Sequence, residues 1–215
     1  AKGRPSDNPL IIHISKIDSL KELVSEVPEM CKKLADKYWP GPLTVVLNKS
    51  KKVPYETTGG LDTVAIRMPE NDIARGLIDL AGVYMAAPSA NTSGKPSPTR
   101  ASHVIEDLDG KIDMIIDGGS VGIGLESTIV DFTSEVPTIL RPGAITKPMI
   151  EEVIGKVVTD QAILTENADA GLAPTAPGMK YKHYAPSGEL AVVEGNAENV
   201  VDAINKRASV KMAEG

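Results

Sequence analysis

Short apolar runs punctuate this 215-residue chain, and the stretches between them carry a longer period. Leu10–Ile14, Leu43–Leu47, Leu61–Met68, Val83–Ala87, Lys111–Asp117, Glu126–Phe132 and Thr138–Arg141 are too short for buried helices, and most are rich in Val, Ile and Thr. They read as strands. Between several of them apolar residues recur at helical spacing. Leu20, Leu23 and Val24 follow a Ser19–Glu22 capping pair, and Met30, Cys31, Leu34 and Ala35 share a face after Pro28. Ile73, Leu77, Ile78 and Leu80 run from Pro69 to Gly82. Val104, Ile105 and Leu108 lie between a capping Thr99 and Gly110, and Thr146–Gly155 is a further short helix. Short strands thus interleave with helical stretches along the chain. Aromatic residues are only 3% of the chain, so its core must be built from Val, Ile, Leu, Met and Ala.

Several function classes are disfavoured at once. The single cysteine, Cys31, cannot supply a disulfide framework or a cysteine metal cluster within one chain, which fits a reducing, cytoplasmic setting. No apolar run approaches the ~20 residues that span a bilayer, and no signal-peptide pattern opens the chain, so no membrane role is expected. A net charge of −6 argues against a broad nucleic-acid-binding surface and leaves room only for a local basic groove.

The polar chemistry gathers where strands end. After Val83–Ala87 the chain turns into Pro88-Ser89-Ala90-Asn91-Thr92-Ser93-Gly94-Lys95-Pro96-Ser97-Pro98-Thr99. This is an ordinary polar turn or a phosphate-binding concavity, since short hydroxyls, an amide and successive backbone N–H groups serve both. Lys2 and Arg4 flank Gly3 ahead of Asn8 and His13; they are a solvated basic segment or an anion cradle. Arg67 closes a strand and shares a face with Thr63, placed for a surface ion pair or for a carboxylate clamp. Arg141 ends another strand and is held by a Pro142-Gly143 turn. Ser127 opens the strand between them. Gly118, Gly119, Gly122 and Gly124 form a loop that is a weak phosphate signal, without a Walker lysine or a G-x-G-x-x-G pattern.

Composition shifts near the C-terminus. Thr165–Gly188 carries Pro174, Pro177, Gly178 and Pro186 with no helical period, and concentrates Met179-Lys180-Tyr181-Lys182-His183-Tyr184. A connection this long is functional or interdomain. Leu190–Glu194 followed by 196–207 reads as β then α, the opening of another α/β domain. The division expected is a main domain over 1–160, a linker over 161–188 covering the site, and a second domain beginning at 189–215.

Taken in order, K-G-R-P-S-D-N-P-L-I-I-H (2–13), T-V-A-I-R-M-P (63–69), A-P-S-A-N-T-S-G-K-P-S-P-T (87–99), E-S-T-I-V-D (126–131), R-P-G-A-I (141–145) and A-P-G-M-K-Y-K-H-Y-A-P (176–186) resemble the threonylcarbamoyl-adenylate synthase family with its YrdC-like fold. The tyrosine-bearing linker is characteristic of the longer, two-domain members. The resemblance implies an α/β fold, a twisted mixed sheet flanked by helices around a concave, positively charged cavity, followed by a linker and the start of a small α/β (Rossmann-like) domain. It implies a nucleotidyltransferase that joins L-threonine, bicarbonate or CO2, and ATP, with Mg2+ carried by the nucleotide and no metal ligands from the protein. The product, threonylcarbamoyl-AMP, would pass to a downstream complex that modifies tRNA beside the anticodon, with any tRNA contact indirect.

By similarity, Lys2, Arg4, Asn8, Thr63, Ser89, Asn91, Ser97 and Arg141 would contact ATP, with Tyr184 reaching back from the linker to cover it. Lys2 and Arg4 would offset charge during adenylyl transfer. His13, Arg67 and Ser127 would hold L-threonine, with Arg67 on its carboxylate. Ala87 stands where many relatives carry a hydroxyl. The family has further residues before K-G-R-P, and its second domain runs beyond one βα unit, so a fragment is expected. Three other functions compete: a carbamoyl-adenylate-forming module of hydrogenase maturation, a non-catalytic double-stranded RNA-binding protein, and an inert regulatory relative.

Overall fold

The computed structural model describes residues 1–164 and 190–214. The chain divides into two compact units, Ala1–Ala185 and Pro186–Gly215.

The described part of the first unit is built on one mixed seven-stranded sheet. In chain order its elements are β1 (Ile11–His13), α1 (Leu20–Leu23), α2 (Glu29–Tyr38), β2 (Leu43–Asn48), α3 (Tyr55–Thr58), β3 (Thr63–Arg67), α4 (Asp72–Ala81), β4 (Met85–Ala87), α5 (Ala101–Leu108), β5 (Thr128–Asp131), β6 (Thr138–Arg141), α6 (Lys147–Ile154), β7 (Val158–Thr159) and α7 (Gln161–Leu164). The strands lie in the order β4-β1-β3-β2-β5-β6-β7. β1 is parallel to β3, and β2 to β5. β4 and β3 run antiparallel to their respective neighbours β1 and β2.

Strand alternation divides the sheet into two unlike faces. One face carries Ile12, Val45, Leu47, Val64, Ile66 and Val130, and packs with Cys31, Leu34 and Ala35 of α2 and Ile150 of α6 into the main core. The other face carries a small apolar group, Val46, Ala65, Ile129, Leu140 and Ile11. By the pairing register that face also carries His13, Thr63, Arg67 and Thr44.

β6 contributes its arginine to this second face through an irregularity. Ile129 pairs with Arg141 and Val130 with Ile139, so Leu140 is an extra residue opposite β5. A bulge of this kind re-aims the side chain that follows it. Plain alternation would have turned Arg141 toward the same side as Ile139, into the packed core.

Several expected elements differ. Lys111–Asp117 is not a strand: it is turn and irregular chain, with Ile112, Met114 and Ile116 exposed. A strand needs a ladder partner, and among the described residues none pairs with this segment; the sheet edge is occupied by the three-residue β4. Arg100 rather than Thr99 occupies the N-cap position of α5, without a side-chain capping bond, and the helix buries Asp107 with Leu108 while Ile105 stays exposed. Ser19 sits at the N-cap of α1 without a side-chain capping bond. α4 starts at Asp72, where the Asn71 side chain accepts from the Ala74 amide at 3.0 Å.

In the second unit the described residues form an irregular stretch and then α8 (Ala197–Glu214). The strand expected over Leu190–Glu194 is absent, and Leu190 and Val192 are exposed. Within this unit no described strand is present for it to pair with. Among the described residues, no helix is long and apolar enough to cross a membrane.

Candidate functional site

The second face of the sheet is the floor of a cavity of about 780 Å³. Ile11 and His13 of β1, Arg67 of β3, Ala87 of β4 and Arg141 of β6 line it from below. Further lining comes from Pro69 to Leu77 around the start of α4, from Pro88, Ser89 and Ser97–Thr99, and from the loop leading to Ser127. Arg4 joins them, so three arginines and a histidine face two carboxylates, Glu70 and Glu126. A partly enclosed space with this excess of cations favours an anionic ligand.

Two rigid turns aim the arginines. Arg67 Nε donates to the Gly41 carbonyl at 3.1 Å, while the Gly41 amide donates to Met68 O at 2.9 Å. The Trp39-Pro40-Gly41-Pro42 turn, which stops α2, is thus pinned to the end of β3. A side chain at 41 would place its Cβ 2.4 Å from Tyr38 O, so only glycine fits. The turn also receives the Thr128 amide on Pro42 O at 2.9 Å, which ties it to β5. Arg141 reaches back to Ser127, with Nε on its carbonyl at 3.1 Å and Nη2 on its hydroxyl at 3.0 Å. The Pro142-Gly143 turn behind Arg141 is clamped by Thr128, whose hydroxyl donates to Ile145 O at 2.8 Å and accepts from its amide at 3.1 Å.

These cations influence one another. Burial, then the charge of Arg141, pulls the Arg67 guanidinium below its ordinary value. Burial, then Arg67, likewise lowers His13, so its ring is held neutral. His13 lies opposite Arg67 in the parallel ladder and opposite Met85 in the antiparallel one.

A second cluster holds the polar loop after β4. Asn91 is 6% exposed, and its Nδ2 donates to the carbonyls of Thr92 and Lys95, both at 2.9 Å. Asp107 of α5 accepts from the Thr92 amide at 2.8 Å and from Lys95 Nζ at 2.5 Å. Lys95 is the first cause of a carboxyl held below the usual carboxylate range. Lys2 donates its ammonium to the Asn91 carbonyl, and burial is the main reason its pKa is lowered. Sequence reasoning missed Asp107; the available signal was an acid beside Leu108 on the inward side of α5.

Of the residues singled out from the sequence, Arg4, His13, Arg67, Ser89, Ser97, Ser127 and Arg141 line one cavity. Lys2, Asn8, Asn91 and Thr63 do not line it. Lys2 and Asn91 belong to the adjoining loop cluster, and Thr63 is at the far end of β3, four residues from Arg67 on the same face. Among the described residues, buried atoms in or near these groups without a hydrogen-bond partner include Asn8 Nδ2, Asn91 Oδ1 and Ser97 Oγ. Buried polar atoms seldom remain so without a ligand or water to satisfy them. Tyr184 lies outside the described residues. The glycine-rich loop proves to be a cavity wall: Gly118 lies against the Asn71 cap of α4, and the Val121 amide donates to Thr99 O at 3.1 Å.

Comparison with known proteins gives a consistent result. A family model described as "Telomere recombination" (Sua5/YciO/YrdC) matches residues 1–143, and one described as "Threonylcarbamoyl-AMP synthase, C-terminal domain" matches residues 145–214. The chain is 55% identical over 200 residues to a threonylcarbamoyl-AMP synthase of Pyrococcus abyssi, covering 93% of this chain and 58% of that protein. It is 50% identical over 207 residues to one from Bacillus subtilis, covering 96% of this chain and 59% of the relative. A crystal structure of P. abyssi Sua5 complexed with L-threonine superposes with a TM-score of 0.93 at 52% identity, over 100% of this chain and 62% of that one. The chain therefore spans less than two thirds of the length of these relatives.

Proposed function

We propose, for a chain that belongs to the threonylcarbamoyl-AMP synthase (Sua5/YciO/YrdC) family, that it forms threonylcarbamoyl-AMP and pyrophosphate from L-threonine, bicarbonate or CO2, and ATP. The observation that carries this reading is the convergence of Arg4, Arg67, Arg141 and Ser127 on one cavity beside a loop with unsatisfied buried amide and hydroxyl atoms. An amino acid and a triphosphate both need cations and donors at fixed positions, and the site supplies them at two adjoining places.

In this reading Arg67 takes the threonine carboxylate, with Ser127 donating beside it and neutral His13 completing the subsite. A relative of known structure was crystallised with L-threonine, which supports the assignment. The loop holding Ser89, Asn91 and Ser97, together with Lys2, Arg4, Asn8, Thr63 and Arg141, takes the nucleotide, with Tyr184 as its cover. The nucleophile is the substrate's own carbamate oxygen. It attacks the α-phosphorus, and pyrophosphate leaves with the bonding electrons. The chain supplies no covalent intermediate. It positions the reactants and offsets charge at the α-phosphate, chiefly through Lys2 and Arg4. A magnesium ion carried by the nucleotide would supply charge neutralisation for the pyrophosphate leaving group. The adenylate would serve a downstream tRNA-modifying complex in the cytoplasm.

The test is pyrophosphate release from Mg-ATP by the whole protein, omitting each co-substrate in turn. The reading expects release only when L-threonine and bicarbonate are both present, and its loss on chelation of magnesium. Release that needs carbamoyl phosphate in place of threonine would assign the hydrogenase-type reaction. No release, with salt-dependent binding of double-stranded RNA, would replace the enzyme by a binding protein.

A further inference from the structure

Two neighbours decide what the Ser127 hydroxyl can do. Arg141 donates to Ser127 Oγ through Nη2 at 3.0 Å, and a guanidinium N–H can only donate. Thr44 Oγ1 lies 2.7 Å from the same oxygen, a distance that leaves the direction of the second bond open. Burial settles it. Thr44 lies in β2 between Arg67 of β3 and Ile129 of β5, and is 0% exposed. Ser127 Oγ is its one side-chain partner among the described residues. Were Ser127 the donor, the Thr44 proton would be buried with no acceptor, which costs more than the bond returns. Thr44 therefore donates. Ser127 Oγ accepts twice, both lone pairs are used, and its proton points away from both donors. Ser127 is itself 2% exposed and lines the cavity.

We propose that Thr44 is a positioning residue that makes Ser127 a pure hydrogen-bond donor toward the cavity. The site thereby selects a carboxylate or carbamate oxygen at that point and rejects a group that can only donate. The inference rests on reading this cavity as the L-threonine subsite. It adds a specificity determinant in a strand residue that cannot touch the ligand.

The test is calorimetric titration of the whole protein with L-threonine and with L-threoninamide, whose carboxylate is replaced by an amide that also donates. Thermal melting runs beside it as a check on folding. Thr44→Val keeps the shape and the β-strand preference but removes the donor, so it should weaken L-threonine binding about tenfold, the scale of one hydrogen bond to a charged group. Preference for the acid over the amide should shrink in the same variant. Thr44→Ser should restore both to within about twofold. On a Ser127→Ala background, Thr44→Val should add nothing, because the hydroxyl it orients is gone. Unchanged affinity and preference in Thr44→Val, or an equal loss on the Ser127→Ala background, overturns the inference while leaving the function standing. Failure of the unsubstituted protein to bind L-threonine overturns both.

Discussion

Arg67 has two roles that a sequence cannot separate. It is an end-of-strand cation, and it is a brace whose Nε holds the Gly41 carbonyl at 3.1 Å while the rest of the guanidinium faces the cavity. Lysine at this position keeps the charge but loses the planar fork that grips a carboxylate through two bonds. Arg67→Lys should therefore weaken L-threonine binding by about 1.5–3 kcal/mol, roughly tenfold to a hundredfold, with nucleotide affinity little changed. Calorimetry with each ligand separately checks this, and an equal loss for both would assign Arg67 to the nucleotide. Asp107 is the residue-scale feature that reading the chain passed over. Its carboxyl is held below the usual range by Lys95, so its stabilising effect is full above the unfolded-state value of about 4 and is lost as pH falls through the lower folded one. Melting curves should find Asp107→Asn less stable than the parent at pH 7, with the gap closing as pH drops below about 4. A gap of constant size from pH 7 to pH 3 would mean that the charge of Asp107 contributes nothing.

At the scale of elements, the strands that were read correctly are those whose apolar runs find partners. Leu43–Leu47 and the core of Leu61–Met68 pair side by side as β2 and β3, and alternation alone sets Thr63 and Arg67 on one face. Lys111–Asp117 has the same local pattern and no partner among the described residues, so the pattern is not expressed. The bulge in β6 was equally illegible. Its signal is the register between two strands, not a residue type, yet it decides that Arg141 faces the cavity. The Pro142-Gly143 turn then locks this register, because a Cβ at 143 would fall 2.4 Å from Glu126 O and 2.7 Å from the Thr128 amide. Both are backbone atoms that cannot step aside without moving Ser127. Gly143→Ala should thus cost about 1–3 kcal/mol of stability, the range for overpacking. It should also weaken L-threonine binding, which separates it from an ordinary surface turn. Urea unfolding with a parallel titration measures both, and a destabilised variant with unaltered affinity would show that the turn does not set the site.

For the molecule as a whole, the family was legible because its motifs fall at strand ends, where backbone geometry ties residue type to position. The α/β class came with the family resemblance, and the mixed seven-stranded sheet agrees with it. What stayed hidden is the division of labour between the two faces: a packed face built on Val45, Val64 and Ile66, and a floor where small Ala65 and Val46 leave room for a ligand. Neighbouring residues on the same strands serve opposite faces, so composition averages the difference away. In the proposed function, this floor and the loops around it join threonine to an adenylate. The most direct measurement is mass spectrometry of the product formed by the whole protein from L-threonine, Mg-ATP and 13C-labelled bicarbonate. The expected product is threonylcarbamoyl-AMP carrying the label in its carbamoyl carbon, formed in step with pyrophosphate. A labelled adduct lacking threonine, or pyrophosphate release without any labelled adenylate, would contradict it.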